Sequence, residues 1–253
     1  MRKNLYSSLF SIFFLILSLC LGSKQAHAQD GLVADISDHL IAITTGFTGA
    51  DVLLFGAVEE DSAIVVTIRG AEQDIVVRRK SRVGGIWINS TGTTFTHVPS
   101  FYTLAATAPL ENLAPDSLRE RHQIGLDKLI LPQQGAHTTE EAHTFREALI
   151  RLQQQRDRYS QASTQITFIG QRLFRVNLHF PANLPTGQYL IEVFQIKDGE
   201  VKNVQTTPLI VSQVGTSAEI QRFAYRHSIL YGLIAVAVAI VAGLLGALIF
   251  RKV

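Results

Sequence analysis

Two apolar stretches bracket the chain, and the segment between them alternates short apolar runs with turn residues. Residues 229–250 carry no charge; at ~1.5 Å per residue they make about 33 Å of helix, enough to cross a hydrocarbon core of ~30 Å. The N-terminal stretch, residues 9–21, is too short to span. It follows Arg2 and Lys3 and gives way to Ala26, His27 and Ala28, the basic, apolar, small-x-small order of a signal peptide. The pattern predicts a signal peptide over 1–28, a mature chain from Gln29, and one transmembrane helix over 229–250. An exported N-terminus followed by a single span puts the tail 251–253 in the cytoplasm. Arg251 and Lys252 agree with the positive-inside rule, although Arg222, Arg226 and His227 on the outer flank weaken the charge contrast.

Within the outer segment, β-branched runs at 39–44, 52–58, 63–69, 75–79, 86–88 and 101–105 read as strands. Gly46, Gly49, Gly70, Gly84, Gly85 and Gly92 are expected between them, as punctuation. Pro109 and Pro115 end this pattern. A helical stretch follows, with pieces at 117–123 and 139–159; Thr138 or Thr139 caps the second, and Glu140 and Glu141 sit in its first turn, where the helix dipole favours anions. Phe145, Leu149 and Leu152 share one face of that helix, as expected of a helix packed on a domain.

Strands return at 173–180, 189–196 and 201–211, with Asp198 and Gly199 marking a hairpin turn. Leu184 to Tyr189 is similar to the corner that opens the penultimate strand of immunoglobulin-like sandwiches, where a tyrosine hydroxyl bonds back to the preceding loop. The expected fold class is mainly β: an immunoglobulin-like antiparallel sandwich with a helical insertion, plus one C-terminal transmembrane helix. Its parts are the first sandwich strands over 29–110, the insertion over 111–162, the last strands over 163–213, a juxtamembrane linker over 214–228 and the span. Two separate outer domains are the alternative arrangement.

Composition changes this picture in two places. The formal charge is +2, but Arg2, Lys3, Lys24, Arg251 and Lys252 lie outside the exported segment; removing these five from 23 basic residues leaves 18 against 21 acidic ones, a net of about −3. Nucleic acid is therefore not an expected partner. The one cysteine, Cys20, falls in the signal peptide. Lipid attachment there is disfavoured by the large Leu19 before it, so the mature domain is expected to fold without thiol or disulfide.

Candidate chemistry is sparse. Ala235, Ala239, Gly243 and Ala247 recur at i+4 along the span, a small-residue stripe that would let another helix approach closely. Arg78, Arg79, Lys80 and Arg82 form the one basic cluster, a candidate contact for lipid headgroups or an acidic partner, or else a charged edge strand. Strand alternation would split Arg79 from Arg78 and Lys80, and Trp87 just beyond is expected in the core. His137, Glu140, Glu141 and His143 lack the spacing of a helical metal motif, and His39, His97, His122 and His179 are scattered. No metal or cofactor is expected, and the absence of a nucleophile elbow or phosphate loop argues against an enzyme.

Several stretches taken together, HLIAITTGFTGADVLLFGAV, RRKSRVGGIWIN, VPSFYTLAATAPL, RHQIGLDKL and NLPTGQYLIEVFQIKDG, resemble an uncharacterised family of transmembrane proteins from alphaproteobacteria. The resemblance covers nearly the whole mature chain. It implies a periplasmic domain, the inner membrane and a transport-linked partner, and it supplies no catalytic residue. The expected function is a membrane-anchored periplasmic protein-interaction module accessory to an inner-membrane complex or transporter, with a membrane-protein partner or self-association through the span. The alternative is a periplasmic ligand or ion sensor coupled to a transporter.

Overall fold

Alternating residues from Leu32 to Ala106 form seven strands: β1 (Leu32–Ile36), β2 (Leu40–Ile43), β3 (Gly49–Val58), β4 (Ala63–Arg69), β5 (Glu72–Val83), β6 (Ile86–Pro99) and β7 (Tyr102–Ala106). The short helices α1 (Leu110–Leu113) and α2 (Asp116–His122), a 3-10 turn at Leu126–Lys128, β8 (Gln133–Gln134) and α3 (Thr139–Gln154) follow. The chain then continues through β9 (Thr164–Gln165), β10 (Thr167–Ile169), β11 (Leu173–Pro181), β12 (Gly187–Lys197) and β13 (Glu200–Gln213) into α4 (Thr216–Arg226) and α5 (Ser228–Phe250). This computed structural model describes residues 31–59, 62–134, 138–160 and 164–250. The expected signal peptide 1–28, Cys20 and the tail 251–253 lie outside them.

Two sheets carry the main core. One has the order β1-β3-β11-β10 and the other β2-β13-β12-β4-β7-β9. All pairings in them are antiparallel except β2 with β13 and β7 with β9. Strands from before and after the helical insertion share both sheets: β3 pairs with β11 and β4 with β12.

The physical cause is the period-two pattern. Ala34, Ile36, Val52, Leu54, Val176, Leu178 and Phe180 point inward from the first sheet, against Ile64, Val66, Ile68, Tyr189, Ile191, Val193, Leu209 and Val211 from the second. Each large side chain so buried contributes about 1.5–3 kcal/mol of transfer free energy. In β4 the apolar run is nearly unbroken because both faces are covered: Val65 packs with Leu104, Ile124 and Phe194 under the insertion. On the β1 edge of the first sheet, the backbone of Ala34 is met by a side chain from the second sheet. Gln205 of β13 accepts from the Ala34 N–H at 2.7 Å and donates to the Ala34 carbonyl at 2.5 Å.

The tyrosine corner forms as expected. The Tyr189 hydroxyl donates to the Pro185 carbonyl at 2.7 Å, and its ring lies 5.9 Å from Phe101 and 6.3 Å from Phe180. Burial raises its pKa to about 12.

Six sequence expectations need correction. β1 is an additional strand, and β5 and β6 run far past the short pieces expected, as a long hairpin. Gly92 lies inside β6, opposite Arg78; a Cβ there would meet Arg78 Cγ at 2.9 Å, so the arginine stem crosses where a side chain is missing. The second helix ends at Gln154 rather than Tyr159, because Asp157 turns left-handed with φ 55°. In its last turns Gln153 is buried instead of Leu152, and the Gln153 carbonyl accepts from the N–H groups of Arg156 and Arg158 where the chain leaves the helix. Trp87 is 66% exposed rather than in the core.

Candidate functional site

The β5–β6 hairpin divides into two halves. Its root packs over α3 in a second core of Val77, Phe95, Val98, Leu129, Leu131, Phe145 and Leu149. Beyond Val77, every residue from Arg78 to Gly92 is exposed except the half-buried Ser81. The basic cluster sits at this transition, and a bulge between Arg78 and Lys80 splits it. Arg79 turns back over the Phe145 ring, 5.5 Å from its centroid. Arg78, Lys80 and Arg82 stay in solvent with the free half. Trp87 stands opposite Arg82 near the tip, out of the core because no element covers that end.

A second surface was not legible as a site. On the outer face of the first sheet, strand pairing puts Val33, Ala57, Leu173 and Ile169 side by side in one row across four strands. The next row holds Asp35, Phe55, Arg175 and Thr167. Val33, Phe55, Ile169 and Leu173 are 45–57% exposed, around an open depression of about 460 Å³. Alternation identifies these as outward positions; an outward apolar run across neighbouring strands is the signal that could have found them.

A third feature is a cleft of about 540 Å³ lined by Arg69, Glu72, His97, Gln123, Ile130 and Glu192. The Arg69 guanidinium donates to the His122 carbonyl at 2.5 Å and lies 3.6 Å from the Glu192 carboxylate. Beside it the Tyr102 hydroxyl donates to the Gln123 carbonyl at 3.0 Å and accepts from the Gly125 N–H at 2.8 Å. Burial raises the Tyr102 pKa to about 12.

The remaining candidates do not converge. His137 lies outside the described residues. Glu140 and Glu141 occupy the first turn of α3, capped by Thr138, whose hydroxyl accepts from the Glu141 N–H. His143 lies 3.7 Å from Glu147, His179 is 2.7 Å from Asp51, and His39 is 3.2 Å from Asp35, all on the surface. Among the described residues no three histidine or acidic side chains gather as a metal site.

Ala235, Ala239, Gly243 and Ala247 lie on α5. Its stretch Ser228–Ala247, of mean hydropathy 2.6, is long and apolar enough to cross a membrane, and none of it is buried within the chain. A Cβ on Gly243 would meet no atom of the chain within 4 Å, so the stripe is open to a neighbour. A family model described as "Putative transmembrane protein (Alph_Pro_TM)" matches residues 31–252. No curated protein and no solved structure matches the chain.

Proposed function

The chain belongs to this transmembrane protein family, and from that premise we propose that it is a membrane-anchored interaction module: an immunoglobulin-like sandwich exported behind the signal peptide 1–28, facing the periplasm, and tethered by α5 to the inner membrane. It works by contact and carries out no catalytic step.

The observation that carries this reading is the apolar outer face of the β1-β3-β11-β10 sheet. Large apolar side chains left contiguous in water mark contact sites more often than scattered ones do. The occupant that fits is a second copy. Asp35 and Arg175 flank Phe55 on opposite sides in the same row. A two-fold axis lying in the contact plane along β3 therefore sets Asp35 of each copy against Arg175 of the other, and Val33 against Leu173. Such self-complementarity is what an isologous dimer requires. An accessory role beside a transporter would build on this pair.

A photo-crosslinking amino acid at Phe55 of the full-length protein in native membrane tests the reading, with Thr206 on the opposite sheet as control. A self-adduct from position 55 and none from position 206, lost on Arg175→Glu, is the expected result. No adduct of any kind from position 55 overturns the reading, and an adduct only to another protein replaces the second copy as occupant.

The Arg69 cleft favours a second reading, a ligand or ion sensor coupled to a transporter, because an arginine beside a glutamate at its wall could receive a small polar ligand. Thermal unfolding of the full chain with added phosphate, sulfate or calcium separates the two; an unchanged midpoint removes the sensor reading.

A further inference from the structure

The free half of the β5–β6 hairpin ends in apolar side chains that nothing in the domain covers. Gly84 and Gly85, with φ of 60° and 85°, make the turn, and the cross-strand pairs behind it are Val83 with Ile86, Arg82 with Trp87, Ser81 with Ile88 and Lys80 with Asn89. Side chains alternate between the faces of a strand. One face of the tip therefore carries Val83, Ile86 and Ile88, and the other carries Trp87 beside Arg82 and Lys80. Val83, Ile86, Trp87 and Ile88 are 59%, 70%, 66% and 44% exposed. From Arg78 to the turn the ribbon reaches ~20 Å at ~3.3 Å per residue.

Charge separates this ribbon from the rest of the domain. No acidic residue occurs from Ile75 to Phe95, while Arg78, Arg79, Lys80 and Arg82 do. Taking these four from the 18 basic residues of the outer segment leaves 14 against 21 acidic ones, so a ribbon of +4 projects from a body of about −7. Cations grouped behind a tryptophan and three aliphatic side chains match the layers of an anionic bilayer, with phosphates outermost, the amphipathic interface next and acyl chains beneath.

The ribbon is also rooted at the correct end of the sandwich. Its first connection, at Ala71, packs against Gly187, where a Cβ would come within 2.6 Å of the Ala71 Cβ. Gly187 opens β12 and pairs with Val211 near the end of β13, and β13 leads directly into α4 and α5. The hairpin and the anchor thus leave the sandwich from the same end.

We propose that the β5–β6 tip is a second membrane contact: it enters the interface of the anionic bilayer that the chain's own helix spans. Val83, Ile86 and Ile88 enter the acyl boundary, Trp87 lies at the headgroup level, and Lys80 and Arg82 meet lipid phosphates. This contact is separate from the sheet face assigned to the second copy, and it stands or falls independently of it.

Trp87 is the sole tryptophan of the chain, so its fluorescence reports the tip alone. The full-length protein is placed in nanodiscs of phosphatidylcholine with phosphatidylglycerol, made with and without brominated acyl chains. Trp87 emission is expected to be blue-shifted, protected from acrylamide, and quenched by the brominated lipid. Lys80→Gln with Arg82→Gln is expected to shift the tip toward water by roughly tenfold or more, from what each cation contributes beside an anionic surface, and so to relieve the quenching. Trp87→Phe with Thr206→Trp moves the reporter to the sandwich and supplies the unshielded control, while circular dichroism checks that the variants keep their strands. Acrylamide access equal to that of the control with no quenching by brominated lipid, or quenching that the double substitution leaves unchanged, overturns the proposal. Shielding of Trp87 that appears only after other membrane proteins are added also overturns it, in favour of a protein partner.

Discussion

Tyr189→Phe removes one oxygen from the sandwich and leaves its packing in place. The ring keeps its neighbours Phe101 and Phe180, so the loss is confined to the hydroxyl, with its 2.7 Å bond to the Pro185 carbonyl and its contact with the Ser100 side chain. A neutral hydrogen bond of this kind is worth about 1 kcal/mol net, and an abandoned buried acceptor costs more, about 1–3 kcal/mol. Pro185 is half-buried and water can reach part of it, which puts the expected loss at about 1–2 kcal/mol. For a domain of this size each kcal/mol moves the thermal midpoint by about 2–4 °C. Urea unfolding of the full chain, followed by the circular dichroism of its strands, should show a lower midpoint with an unchanged slope. The same residue has a pH signature. Burial raises the folded-state pKa of Tyr189 from 10.0 to about 12, so its neutral form is the one the fold favours. That contribution is complete below pH ~10 and is lost as pH rises toward ~12, by about 1.4 kcal/mol for each pKa unit. Phenylalanine does not titrate, so the gap between wild type and Tyr189→Phe should be full at pH 8, vanish at about pH 11 and reverse in sign by about pH 12. An unchanged midpoint, or a gap that stays constant over this range, would refute the corner as a stabilising contact.

Gln205→Leu should destabilise by about 1–3 kcal/mol by leaving the Ala34 N–H and carbonyl without their partner, read by the same unfolding curves, and a β1 edge thus opened should promote concentration-dependent association. Gly243→Leu should weaken helix association in the membrane by about 1 kcal/mol while Val236→Leu does not; crosslinking yields of self and partner pairs measure this, and equal yields would leave α5 a tether alone. The mass of the mature chain should correspond to Gln29 at its N-terminus, and an intact Met1 or a lipid on Cys20 would contradict signal cleavage.

Strands were legible in the sequence where one face is buried and the other wet, as in β11, where Phe174, Val176, Leu178 and Phe180 alternate with exposed residues. They were illegible where burial does not organise them. The stretch from Asn89 to Gly92 lacks apolar alternation because its partner is another free strand, and it is held by cross-strand pairing. Trp87 was misplaced for the same reason: a large indole is ordinarily buried, and nothing local shows that the ribbon outruns its cover. The outward row of Val33, Ala57, Leu173 and Ile169 draws on three separate segments of the chain, so only pairing reveals it as one surface. Tyr189 was read correctly because its corner is local, four residues from donor to acceptor. Gln205 reaches Ala34 across 171 positions and left no local trace.

The placement of β13 has a mechanical consequence. It is an inner strand, paired along its length with β12 and near its end with β2, and it is also the strand that runs on to the membrane helix. A pull transmitted from the bilayer therefore acts along the axis of β13. Its ladder bonds lie across that axis, so they are loaded in shear and resist together instead of opening one at a time from an end. Because β2 lies parallel to β13 and holds it near its exit, the first bonds to feel the load join the two ends of the domain's own chain. A domain grasped by a partner on one sheet and held by its anchor through the other is thus built to bear tension between the two.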